Sequence, residues 1–560
     1  MLRFDSNPFI YWLIVYGLCW LLGWVTVQLR LSRPAFAVAA LGLLFLLRLP
    51  SIVYNNEVNP DESQMIAQAL TLRQDPVYFR SVDGTTGGPL DSYFLILPTF
   101  VGLPFDFISA HLTAYALVAL SLWLFFLTAQ RWFGETPARL ALLPLVFMLG
   151  LTQNGDFLHY NSELVAIVLL GWSTLLYAVL LTETRPPIWR LALIGFLLGM
   201  IPYGKLQGVP IAAVIGLFAG LVVLAGSGLT SIEKTVRLAA LAVGGLAFSA
   251  LFIGFMWLNG MYDDFVTFYI IGNFQYASDS NQLLSLLRLP AFFQKGEAFG
   301  WFVTLVLAVV MVAVVMARRR AVRVVSPGWQ KIGFVVLLVL ATIFSITRTG
   351  SEYVHYLFFL IGPLLLLLAR AWDVLLQSTP QNRRHWWPLG LLAIFLLVFG
   401  VQMGLRIAQK QPMNTYVSEW QGGWAIQQSP VSKEIAKYAR PGEKLAVWGW
   451  RCDYYVQTQM PQGVAENHTI RSAFAHPLQA TYQQRYVRNM MRSKPAVFVD
   501  AVGKNNLWMT DRATQGHELV KPLQELIKSQ YQYVGMVHDT RIFVRNDRAK
   551  SPLSQDRNQL

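Results

Sequence analysis

Charge is scarce in this 560-residue chain. Asp, Glu, Lys and Arg make up 14% of it and hydrophobic residues 54%, where a soluble domain carries roughly 25% charge. With a mean hydropathy of +0.43, that shortage excludes an ordinary soluble globular protein. Cysteine is nearly missing too. Cys19 sits in an apolar run and Cys452 far downstream in a polar region; this is no disulfide framework, and no Cys/His spacing suggests a zinc site. Internal repeats and low-complexity tracts are lacking. Acid is scarcer than base, 31 residues against 45, giving a net charge of +14. A basic excess can mark a nucleic-acid binder. In so apolar a chain lysine and arginine serve orientation in cytoplasmic loops, so no nucleic-acid partner is expected.

What the chain has instead is a series of apolar runs that ends at Ile407. About twelve are candidate spans, several of them short for a ~30 Å hydrocarbon core: 9–29, 34–53, 107–130, 138–152, 162–182, 190–203, 208–226, 237–258, 298–317, 332–346, 353–371 and 388–407. The first is long for a signal peptide, and Arg30 and Arg33 follow it rather than precede it. It reads as a retained span. The fold class is therefore a polytopic α-helical membrane protein, with residues 1–407 forming the membrane domain.

The loops alternate in charge. One set holds Arg30, Arg33, Arg131, Arg139, Arg185, Arg190, Lys234, Arg237, the run Arg318-Arg319-Arg320, Arg323, Lys331, Arg383 and Arg384. The positive-inside rule makes this set cytoplasmic. The other set includes the long first outer loop, 54–106, which is acidic. Both termini then face outside, and the expected location is the inner (plasma) membrane with outer-facing loops. Beyond Ile407 the sequence turns polar. The runs "KLAVWGW", "PAVFVDAV", "YQYVGMV" and "RIFVR" alternate with helix-like stretches at 431–439, 477–492 and 516–530. That pattern predicts an extracytoplasmic α/β domain over 408–547. Residues 548–560 read as a loose tail.

Chemistry-bearing residues crowd the outer loops. In "NPDES", Asp61 and Glu62 follow Asn59 and Pro60. The plain reading is a helix start: a cap, a proline at the first position, and acids in the first turn. "TQNGDFLHYNSE" gathers Asp156, His159, Tyr160, Asn161 and Glu163 at the edge of two spans; the plain reading is an interfacial turn. Lys205 stands alone in "IPYGKLQGVP", where a snorkelling lysine is the alternative. A fourth loop, "NGMYDDFVTFYIIGNFQYASDS", reads as a helix in the interface. "TRTGSEYVHYLFFLIGP" places Arg348, Glu352, Tyr353, His355 and Tyr356 where a span begins. A carboxylate can take a proton from a hydroxyl. Arginine, lysine and tyrosine can hold a phosphate. The pairing suits attack of an acceptor hydroxyl on a sugar carried by a lipid phosphate.

"NPDES", "GGPLDSYF", "GDFLHYNSE", "KLQGVPIAA", "YVHYLFFLIGPLLLL" and "VWGWRCDYYVQTQMP", in this order, resemble the GT-C superfamily of polyprenyl-phosphate-sugar-dependent glycosyltransferases. The branch most similar holds the protein O-mannosyltransferases and the lipid A aminoarabinose transferases. The resemblance implies a GT-C-like fold and a polyprenyl-phosphate-linked sugar as donor. It implies transfer to a lipid, glycan or protein acceptor, with inversion. By it Asp61 matches the base or acceptor-orienting carboxylate, Glu62 completes the acidic pair, and Asp156 matches the second-loop aspartate. Lys205, Arg348, Tyr353 and His355 fall where donor-phosphate contacts are expected. A metal ligand set is not implied: some GT-C enzymes bind a divalent cation through acidic pairs, while this branch often does without one. The chain departs from the family where a first-loop lysine is usual; "TTGGPL" puts Gly87 and Gly88 there. Two rival readings remain at this point. One is a transporter or lipid flippase, against which the unusual residues lie in loops and no repeat relates the halves. The other is an O-antigen-ligase-like enzyme using a lipid-diphosphate donor, which would carry arginine-rich outer loops.

Overall fold

The computed structural model describes residues 4, 7–28, 31–278, 282–320, 328–379, 386–417 and 425–549. The tail expected over 548–560 lies outside them from residue 550 onward, as do Arg30, Arg323, Arg383 and Arg384 of the basic loops. The long elements, in chain order, are α1 (Phe9–Gln28), α2 (Arg33–Ile52), α3 (Pro60–Gln74), α4 (Pro89–Phe94), α5 (Phe107–Phe133), α6 (Glu135–Leu151), α7 (Leu164–Leu180), α8 (Ile188–Gly204), α9 (Val209–Ala225), α10 (Ser231–Leu258), α11 (Ala298–Arg320), α12 (Trp329–Thr347), α13 (Phe358–Gln377), α14 (Trp386–Ala408), α15 (Gln479–Ser493) and α16 (Lys521–Gln530). Four strands follow the membrane part: β1 (Leu445–Trp448), β2 (Val497–Asp500), β3 (Tyr531–Val537) and β4 (Thr540–Arg545).

Every predicted span coincides with a helix. Among the described residues nine helices are long and apolar enough to cross a membrane. The three predicted spans outside that set are α6, α7 and α8, each of 17 residues, short of the ~20 that a perpendicular crossing needs.

The chain divides into two compact units. The first comprises Met1–Val53, His111–Phe252 and Tyr276–Gly422. Its helices pack through small residues where backbones meet. A Cβ on Gly195 of α8 would lie 2.1 Å from the Leu241 carbonyl of α10, and one on Gly199 2.2 Å from that of Gly245. This small-xxx-small face lets two helices approach without side chains between them.

The second unit comprises Tyr54–Ala110, Ile253–Gln275 and Gly423–Leu560. The predicted domain over 408–547 is thus larger in one direction and shorter in another. Residues 408–422 group with the first unit, and the first outer loop and the segment 253–275 join the C-terminal fold. The sheet order is β1-β2-β4-β3, with β1 parallel to β2 and the rest antiparallel. β1 and β2 are buried at every residue, as strands covered on both faces must be. One face packs Leu445, Val447, Val497, Val499, Ile542 and Val544, and Ala67 of α3 belongs to this core. The other packs Trp448, Phe498, Leu523, Ile527 and Tyr531. The β3–β4 hairpin turns at His538 and Asp539, both with positive φ (45° and 58°), the two-residue turn whose twist matches the strands.

The segment predicted as an interfacial helix, 259–280, of which 279–280 lie outside the described residues, is helical from Tyr262 and contains a π-helical stretch, Phe265–Ile271. Phe268 and Asp264 of this segment meet α15: Arg485 stacks 3.5 Å above the Phe268 ring, and Arg488 pairs with Asp264 at 2.9 Å.

Candidate functional site

In the first unit, three loops converge. Asn154 opens the turn Gly155–Phe157 by accepting from the Asp156 amide at 3.0 Å. His159 Nδ1 meets the Gly155 carbonyl at 2.9 Å, and the Asn161 side chain donates to the Asp156 carbonyl at 3.3 Å. These local bonds fix a loop too short to be helical. The Asp156 carboxylate lies 3.5 Å from His355 Nδ1. His355 stacks on Tyr353 (5.5 Å, 7°) and meets Tyr356 and His159 edge-on at 5.0 and 6.2 Å.

Lys205 leaves α8 in extended backbone. Its ammonium donates to Ser162 Oγ at 2.6 Å and stands 3.1 Å from Glu163 Oε1. The Tyr356 ring centre is 5.6 Å from it. Both partners are buried, Glu163 completely. Burial raises the pKa of both carboxyls here, but the neighbouring hydrogen bonds and positive groups outweigh it. For Asp156 the hydrogen bond and charge of His355, then His159, hold it at about 2. For Glu163 it is Lys205, then His355, that hold it below its usual value. The loop cluster therefore keeps two ionised carboxylates at neutral pH.

Asp61 and Glu62 belong to the second unit, at the start of α3. The Asn59 side chain accepts from the Asp61 amide at 2.9 Å, and the Glu62 carboxylate reaches back to the amides of Val58 and Asn59. This is a full capping box. Glu62 is fully buried. Its carboxylate accepts at the helix start, the contact that the capping box requires. Asp61 is half-buried and accepts from Gln64 Nε2 at 2.8 Å, and Gln64 accepts in turn from Asn467 at 3.3 Å. Glu57 accepts the Ser63 hydroxyl, and burial, then Asp453, push its carboxyl up to about 8.

Of the expected phosphate contacts, Lys205, His355 and Tyr353 come together with Asp156. Arg348 ends α12 as its C-cap and is exposed. Sequence reasoning placed Glu163 and Tyr356 only in a crowd. It missed Glu163 as the counter-ion of Lys205, and Glu57 as a buried acid near Asp453 and Glu62. Gly87 closes a turn onto the Gly84 carbonyl, and Gly88 precedes α4. Among the described residues one His/acid group has metal-like spacing, Asp500, His517 and Glu518, with ligand atoms within 4.8 Å. Arg541 bridges both carboxylates, so the charge a cation would supply is already there.

No protein-family model matches the sequence, and no curated relative does. In structure the chain is similar to ArnT from Cupriavidus metallidurans in the apo state, at 13% identity and a TM-score of 0.56 over 91% of this chain and 98% of that one. It is likewise similar to the same protein bound to undecaprenyl phosphate, at 14% identity and a TM-score of 0.53 with the same coverage. The fold is GT-C-like, as the family resemblance of the sequence implies.

Proposed function

We propose that the protein is an integral membrane glycosyltransferase that moves a sugar from a polyprenyl-phosphate donor to an acceptor hydroxyl at the outer face of the membrane. The observation that carries this reading is the extent of the fold likeness: nearly all of both chains, to a protein whose crystal structure holds undecaprenyl phosphate. A transporter reading has no comparable support.

In the proposed step the acceptor oxygen attacks the anomeric carbon while the bond from that carbon to the phosphate oxygen breaks. The electron pair leaves with the phosphate, so no general acid is needed there, and a single displacement inverts the carbon. The hydroxyl proton passes to a carboxylate, for which Asp61 is the candidate. Asp156 suits a different task. An acid held near 2 is a poor proton acceptor at neutral pH but a lasting negative charge, able to orient His355 and to favour oxocarbenium-like charge. Arg348, Tyr353 and His355 are the proposed contacts of the donor phosphate. Lys205, whose ammonium has three donors and meets Ser162 and Glu163, is a further candidate contact. The acceptor is a hydroxyl of a lipid, glycan or protein.

The test is transfer of radiolabelled sugar from polyprenyl phosphate by the purified protein in proteoliposomes, with and without EDTA to reveal any divalent-cation requirement. Labelled product that requires the lipid phosphate is expected. Accumulation of unmodified lipid or solute across the bilayer with no new glycosidic bond would refute the reading in favour of transport. For the orientation, a cysteine at Gln515 should react with an impermeant reagent in intact cells.

A further inference from the structure

We propose that the C-terminal fold carries a second sugar-binding site, a cleft that holds an uncharged saccharide. The choice of saccharide rests on the glycosyltransferase reading; the cleft itself does not. It lies between α16 and the β3–β4 hairpin as an open cleft of about 340 Å³, within the size range of small-ligand pockets.

Its lining combines rings with polar groups of both kinds. Phe543 is flanked by Tyr533 at 5.4 Å with a 54° tilt and by His517 at 5.5 Å and 78°. These rings form a corner rather than a parallel slot. A flat heteroaromatic ligand needs the slot. A pyranose, with C–H faces pointing several ways, fits the corner. Tyr533 is 51% exposed although it is large and aromatic, and its ring has no burial to justify its place. Around the rings stand Glu518, which accepts, and Lys528 and Arg541, which donate. A sugar hydroxyl both gives and takes a hydrogen bond, so it can use either kind.

The charges argue for a neutral ligand. Arg541 is balanced by Asp500 and by Glu518, the latter at 2.6 Å. His517 Nδ1 meets Asp500 at 2.9 Å and Glu518 at 3.3 Å. Lys528 is exposed on α16, and counting it with this group brings two cations against two carboxylates. A phosphate or carboxylate ligand would meet Glu518 in the cleft wall and an Arg541 already engaged by two carboxylates. The groups are also fixed in advance, since Asp500 is fully buried at the end of β2, so binding orders few side chains.

The experiment uses the full-length protein in nanodiscs of synthetic phospholipid, with mannobiose, cellobiose, chitobiose and lactose as probes. Saturation-transfer NMR reads contact, and titration gives the affinity. At least one disaccharide should bind, and Tyr533→Ala should weaken it about fivefold or more, the range expected for one aromatic contact. Tyr533→Ala removes an exposed ring, so its melting temperature should match wild type. No binding across the panel, or binding that Tyr533→Ala leaves within twofold, overturns the proposal. Because the readout is binding, a wild-type protein that transfers sugar but binds no probe refutes this site alone. A protein that binds a probe but never transfers refutes the enzymatic reading alone.

Discussion

Arg485 is the residue whose loss should cost the second unit most. Its guanidinium lies between two carboxylates, 2.5 Å from Asp83 and 2.8 Å from Glu466, with all three side chains at most 2% exposed. Phe268 stacks 3.5 Å from its central carbon, and Tyr482 lies 5.1 Å away. Three distant segments thus meet on one cation of α15: the first loop through Asp83, the π-helical stretch through Phe268, and the segment between β1 and α15 through Glu466. Burial lowers the tendency of Arg485 to hold its proton, and the two carboxylates more than restore it. Arg485→Ala leaves Asp83 and Glu466 buried without a partner. Removing one member of a buried pair costs about 3–5 kcal/mol, and a desolvated cation–ring contact adds about 2. Neutralising the remaining acids as well, in Arg485→Met with Asp83→Asn and Glu466→Gln, should recover most of this, since the penalty comes from unpaired charge. The pH sign follows from Glu466. Burial raises its carboxyl despite Arg485, and without the arginine it rises further. A raised carboxyl stabilises the fold below its unfolded value and loses that contribution as pH rises through the folded one. The deficit of Arg485→Ala should therefore be largest near neutrality and shrink toward acid. Limited proteolysis and thermal denaturation of the purified protein, from pH 7 downward, measure both. A deficit independent of pH, or a triple variant no better than the single one, would refute the argument from unpaired charge.

Lys205→Met should destabilise the first unit by about 3–5 kcal/mol, because Glu163 would be buried without its ammonium partner; Lys205→Met with Glu163→Gln should melt near wild type, and equal melting of the two variants would count against the ion pair. Asp156, depressed from 3.8 to about 2, contributes roughly 2 kcal/mol that is fully present above its unfolded value and is lost as pH falls through the folded one. Asp156→Asn should flatten that acid limb in a thermal-shift series. Asp61→Asn should cut sugar transfer by at least ~10²-fold while leaving the melting temperature unchanged. The cap acceptor is Asn59, and an amide oxygen can still accept from Gln64. Near-normal transfer would return Asp61 to a helix-start role alone.

The membrane architecture was legible because hydropathy is local. A run of apolar residues needs no partner to be recognised, and each predicted span coincides with a helix. The four strands were legible for a similar reason, as short β-rich runs bounded by polar helical stretches. Domain membership was not. Thr71 accepts from the Gln462 amide at 2.8 Å, and Ala67 sits in the sheet's core, across some four hundred residues that no local pattern relates.

The site divides along the same line. Helix-start chemistry in "NPDES" could be read from four adjacent residues, and the capping box formed as that spacing requires. Which of the two acids the box would consume could not, because adjacent helical residues differ by about 100° and either can face the turn. The sequence by itself determined how many apolar helices form, where the strands run, and which residue types stand at the loops. Tertiary structure alone decided that Lys205 pairs with Glu163, that Asp156 meets His355, and that Arg485 gathers Asp83 and Glu466. Charge pairing depends on distance in space and on the loss of water around the partners, and sequence separation encodes neither.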